Sequence, residues 1–91
     1  MPYRLVYHPA VADDDLPKVP ADQRRRIARA IETRLTAAPQ RYGSPLRGTL
    51  KGYWKLGVGD YRDVYRVAGD EVLIFAIRHR REVYGEAGRR A

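Results

Sequence analysis

The residues best equipped for chemistry in this chain are its cations and tyrosines. Lys55 and Arg62 fall in two alternating segments, "YWKLGV" and "YRDVYRV", joined by the tight turn "GVGD". A hairpin of this kind puts both cations on one sheet face. The run "RHRREVY" follows the apolar stretch "VLIFAI" and delivers Arg78, His79, Arg80, Arg81 and Tyr84 to a nearby rim. Guanidinium groups bind phosphate oxygens bidentately and stabilise the charge that builds in a pentacovalent transition state. A cluster of cations also repels protons from its members, which suits a lysine or tyrosine to general-base work near neutral pH. The chemistry this points to is attack of an RNA 2′-OH on the adjacent phosphate, with no metal and no covalent enzyme intermediate. The same interleaving of bases and aromatics fits non-catalytic RNA binding equally well, with aromatic rings stacking on nucleobases. Residue types alone leave both readings open.

Two other constellations are weaker. His8 and His79 each end a strand and could form an acid–base pair, but strand ends fall on opposite sides of a sheet as readily as together. Asp13–Asp15 form a triple-acid run. Three consecutive acids on a helix point in different directions, so a solvated or dipole-complementing role is expected rather than metal ligation.

These residues need a scaffold, and 91 residues supply one domain with a single modest core. There is no cysteine, which excludes disulfides, cysteine metal sites and thiol nucleophiles. No apolar run is long enough to cross a bilayer and no signal-peptide pattern opens the chain, so a cytoplasmic protein is expected. The formal net charge of +7 favours polyanionic partners.

The scaffold reads as β-α-α-β-β-β. "YRLVYH" alternates as a strand with Tyr3, Leu5 and Tyr7 on one face. A first helix follows Pro9, with Ala12, Leu16 and Val19 on its apolar edge. Pro17 should kink or break it. A second helix starts at Pro20, carries Asp22 in its first turn, turns Ile27, Ile31 and Leu35 inward, and stops at Pro39. Arg24, Arg25, Arg26, Arg29 and Arg34 spread over its remaining surface, as a solvated face requires. The connector "QRYGSPLRGTLKG" carries Arg41, Arg47 and Lys51, and Leu46 and Leu50 pin it to the core. Three strands follow, the second and third joined by "AGDE", and "VLIFAI" reads as the central strand. Two helices cover one face of such a sheet, which leaves the other partly open for Lys55, Arg62 and Arg66, with a short basic tail past Tyr84.

From "SPLRGTLKGYWKLGVGDYRDVYRV" through "DEVLIFAIRHRREVY" the chain resembles the RelE/ParE superfamily of type II toxins. Its start, with Asp15-Leu16 followed by Val19-Pro20, is similar to the first-helix signature of that family. The resemblance spans nearly the whole chain, 1–91, as a single domain. It implies an α+β fold with two N-terminal helices on one face of a small, mostly antiparallel sheet. It also implies a cognate antitoxin and, in the RelE-like branch, a metal-independent, ribosome-dependent endoribonuclease that cuts mRNA in the A site of the 70S ribosome. No membrane partner or small-molecule cofactor is implied.

Carried over by position, Lys55 matches a base or charge stabiliser, and Arg62 the arginine that holds the phosphate. Tyr84 matches the tyrosine that orients or activates the 2′-OH. Arg80 or Arg81 matches the arginine at the leaving oxygen. Arg47, Lys51, Tyr53, Arg66, Arg78 and His79 are the expected RNA-binding neighbours. Three positions depart from the pattern: Tyr53 stands where some members carry a lysine, Gly57 where a base often follows, and Asp63 where an apolar residue is usual. Asp63 is expected to pair with an arginine of the second helix. The ParE-like branch, which inhibits DNA gyrase, and a non-catalytic member that binds antitoxin and operator DNA share the fold.

Overall fold

The structure is a computed structural model that describes residues 2–91. Strand β1 (Arg4–Tyr7) leads into a π-helical turn, Val11–Asp15, and a 3₁₀ turn, Leu16–Lys18. Helix α1 (Ala21–Ala30) runs on into a second π-helical segment, Ile31–Leu35. The short helix α2 (Pro39–Tyr42) and two-residue strand β2 (Ser44–Pro45) precede a 3₁₀ turn at Gly48–Leu50. Strands β3 (Trp54–Val58), β4 (Tyr61–Ala68) and β5 (Glu71–His79) follow, and helix α3 (Val83–Arg90) comes last.

The sheet order is β1-β5-β4-β3-β2, so the apolar "VLIFAI" segment lies between two strands as its sequence demands. Among the described residues, only the β1–β5 pairing is parallel. The two hairpins are built alike. Gly59-Asp60 and Gly69-Asp70 are two-residue loops, with φ of +59° at Gly59 and +61° at Gly69. A first loop residue at positive φ matches the twist of the flanking strands and is cheap only for glycine.

One face of the sheet packs on α1 and its extension through Ile27, Ile31, Leu35, Leu56, Tyr65, Ile74 and Ile77. Here the helix stripe behaves as its four-residue spacing predicts. The other face carries a second core of Leu50, Val64, Phe75, Ala76, Val83 and Ala87. The residues past Tyr84 are therefore not a tail. They belong to α3, whose Val83 and Ala87 are fully buried, and the helix covers part of this face, which stays partly open as expected.

The first helix breaks around Pro17 as expected, and Leu16 and Val19 pack inward as their spacing predicts, but Ala12 does not. The π-helical turn shifts the register, so Val11 and Asp15 are buried while Ala12 is exposed. Asp15 is thus a correction to the solvated reading of the acidic run. Its Oδ2 accepts from the backbone N–H of Ile77 at 2.9 Å, and its Oδ1 from Arg78 Nε at 2.7 Å. Arg90 closes the group, donating to Asp15 Oδ1 at 2.6 Å and Oδ2 at 2.8 Å, and to the carbonyl of Phe75 at 2.9 Å. Strand β1 ends its pairing with β5 at Ile74. Beyond that point a carboxylate and a guanidinium satisfy backbone groups of β5 that no strand reaches.

Candidate functional site

Cross-strand register places the site. Gly57 faces Arg62, and Lys55 faces Val64. Lys55 and Arg62 are therefore diagonal neighbours on the face away from α1, roughly 7–8 Å apart at Cα. The alternation in the sequence predicts this pair. Helix α3 lays Tyr84 over the same face, with Lys55 Nζ 5.9 Å from the centre of the Tyr84 ring. Lys55, Arg62 and Tyr84 are all half-buried.

Arg62 bends over its own turn, and one guanidinium nitrogen donates to the carbonyls of Gly59 and Tyr61, both at 2.8 Å. Gly57 explains how. A Cβ at that position would lie 3.1 Å from Arg62 Cζ and Nη1. Where a basic side chain was expected to strengthen the site, the bare backbone gives Arg62 a shelf instead. Arg80 joins the same end of the sheet, its backbone N–H donating to the carbonyl of Asp60 at 2.8 Å, and its side chain is exposed, as is that of Arg81. His79 packs edge-on against Tyr61 and its Nδ1 accepts from the Arg81 N–H at 3.2 Å. Further along the face, Arg66 sits 5.6 Å over the Tyr53 ring, which rests on Phe75. Arg47 and Lys51 are exposed at the ends of the Gly48–Leu50 turn.

The structure does not bring every expected residue to the site. Arg78 stands directly opposite Arg62, but its guanidinium turns away. Its side chain is only 11% exposed and is held by Asp15, with Glu86 3.8 Å away. Arg78 is a structural cation, since Asp15 is already buried beside it and a second buried charge must be paired. His8 and His79 do not form a pair. His8 packs on Phe75, and its backbone bonds to Ile74, well back along β5 from His79. Asp63 pairs with no arginine: it is 1% exposed, and neither carboxylate oxygen has a hydrogen-bond partner among the described residues. Burial pushes its carboxyl well above the ordinary carboxylate range. Burial also pushes Asp15 up, but hydrogen bonds from Arg90, Arg78 and the Ile77 N–H outweigh it and hold the group below its ordinary value.

Sequence reasoning named Asp15 and Gly57 without their roles and missed Arg90 altogether. The signal for Asp15 was its four-residue spacing from Val11; Arg90 gives no local signal, because its partner lies 75 positions away.

Comparison with known proteins identifies the family. Residues 10–84 match the family of ParE toxins of the type II toxin–antitoxin system parDE. The chain belongs to this toxin family, within the RelE/ParE superfamily. No curated protein sequence matches it. Among solved structures, it is similar to a chain of the RelBE2 toxin–antitoxin complex of Mycobacterium tuberculosis, at 29% identity and a TM-score of 0.81, covering 88% of this chain and 100% of that one. A double mutant of the E. coli toxin RelE in the free state gives 22% identity and a TM-score of 0.76 over 99% and 98% of the two chains. A chain of the RelB–RelE antitoxin–toxin complex of Methanococcus jannaschii gives 24% and 0.71 over 89% and 96%. The α+β expectation thus holds, and the chain is a type II toxin of RelE/ParE fold. No helix among the described residues is long and apolar enough to cross a membrane.

Proposed function

We propose that this toxin is an endoribonuclease that cuts mRNA in the ribosomal A site, and that a cognate antitoxin neutralises it. The observation that carries the reading is the Lys55–Tyr84 contact on the face that also bears Arg62. In this reading the phosphate seats on Arg62, which gives up the turn carbonyls for the stronger charge-assisted bonds of an anion. The Tyr84 phenol orients the 2′-OH, which attacks the phosphorus. Lys55, held at the ring, takes the 2′ proton or balances the charge that develops. Arg80 or Arg81 lies at the strand end to meet the leaving 5′ oxygen. Arg66 and Tyr53 offer a cation and a ring for a neighbouring nucleotide. The toxin–antitoxin complexes among the structural relatives support an antitoxin partner.

A second reading, gyrase inhibition, is favoured by the match to a family described by ParE. Primer extension on mRNA programmed into 70S ribosomes separates the two. Discrete A-site cuts with wild type that vanish with Arg62→Ala support the nuclease. Folded protein that makes no cuts but blocks supercoiling supports the alternative.

A further inference from the structure

Behind the β3–β4 hairpin, on the face opposite Lys55 and Tyr84, a cleft of about 570 Å³ runs along α1. One wall carries Arg25, Arg26, Arg29 and Arg34; the other is the hairpin itself, Gly57 to Gly59. Asp22 is the one acid in the lining, and among the described residues none of these four arginines forms an ion pair. Arg26 donates only to Gln23, at 3.2 Å. By contrast Arg24, on the same helix, is committed to the carbonyls of Leu16 and Val19 at 3.1 and 2.9 Å.

A merely solvated face mixes signs, because like charges one turn apart weaken a helix. This face concentrates one sign and leaves it unpaired. The hairpin tip links it to the site already described. Arg62 binds the Gly59 carbonyl from one side, and a Cβ at Gly59 would sit 3.5 Å from Arg26 Nη1 on the other. Gly57 and Gly59 add no side chains of their own to this wall, and Val58 between them packs into the core. Arg25 and Arg29 follow about 6 Å apart along the helix axis.

We propose that this cleft is a second RNA site: it takes the single strand adjoining the phosphate held by Arg62, which crosses the hairpin beside Gly59 and lies along α1. The proposal rests on the nuclease reading for the phosphate at Arg62, whereas the cleft's own affinity does not depend on cleavage.

The test uses full-length protein and a ten-nucleotide RNA with methylated 2′ oxygens, with binding read by fluorescence anisotropy across a salt series. For a single strand, removing one arginine–phosphate pair lowers the slope of log K against log salt by about 0.7. Arg25→Ala/Arg29→Ala removes two such pairs and is expected to lower the slope by about 1.4. Arg4→Ala/Arg41→Ala removes the same charge outside the cleft and should lower it far less. A trinucleotide, too short to reach the cleft, should not distinguish the two variants. Equal losses in both would overturn the proposal, since bulk charge alone would then explain binding. So would a loss seen only with duplex RNA, or a cleft variant that keeps its RNA affinity but no longer binds an acidic helical peptide. A wild type that fails to cut mRNA while the cleft variant loses affinity would sink the nuclease reading alone. Normal cutting with no change in affinity would sink the cleft alone.

Discussion

Arg62 and Tyr84 make the sharpest claims at the scale of single residues. Both are half-buried and neither is among the buried core residues, so removing their functional atoms should leave folding intact. Arg62→Ala is expected to reduce single-turnover cleavage on programmed ribosomes by about 10²–10³, the usual cost of losing one transition-state donor. Tyr84→Phe should lose about 10²–10⁴ if the phenol handles the 2′ proton. Unchanged thermal unfolding of both variants is the control. Gly57→Ala is a subtler probe: its methyl meets the Arg62 guanidinium at 3.1 Å, so cleavage should fall while the fold persists. Strand alternation revealed Lys55 and Arg62 because a period of two fixes the face. It could not reveal that Arg78, of the same type and on the same face, turns inward. That choice is made by Asp15, a residue remote in sequence.

At the scale of elements, the hairpins and the α1 stripe were legible because glycine turns and four-residue spacing are local signals. The first helix and α3 were not. The π-helical turn moves Asp15 into the interior, and α3 exists because Val83 and Ala87 find a sheet face that no local pattern announces. Asp15 then ties that first turn to β5 and α3 through Arg78 and Arg90, whose side chains are 11% and 7% exposed. Breaking such a buried group by removing one partner costs about 3–5 kcal/mol. Asp15→Ala should lose that much in urea denaturation. Arg90→Ala should cost clearly less in the Asp15→Ala background than in wild type, because the cations no longer have the carboxylate to pair with.

For the whole molecule, two buried carboxyls pull the pH dependence of stability in opposite directions. Asp15 is held below its ordinary value, so its contribution is present above about pH 4 and fades as pH falls through the lowered folded value. Asp63 is pushed well above its ordinary value, so the folded state binds a proton more readily than the unfolded chain. Its effect is to erode stability as pH rises from about 4 toward the folded value. Stability should therefore fall in wild type as pH rises above about 4 toward that folded value, and fall less in Asp63→Asn, which carries no proton to lose. Denaturation midpoints across that range would check this; parallel curves for the two proteins would refute it. The sequence marked Asp63 as out of place among apolar neighbours, but only the folded core shows that no arginine reaches it.

The pairing of β1 with β5 has a consequence for synthesis. Strand β1 emerges from the ribosome early, yet its partner lies some 67 positions later, and the Asp15–Arg90 latch waits 75. Local hairpins can form as they appear, but closing these distant contacts must come last. A nascent chain therefore carries Lys55 and Arg62 before it has the helix that sets Tyr84 over them. On the nuclease reading, the catalytic face is complete only once α3 has been made and has docked on the sheet.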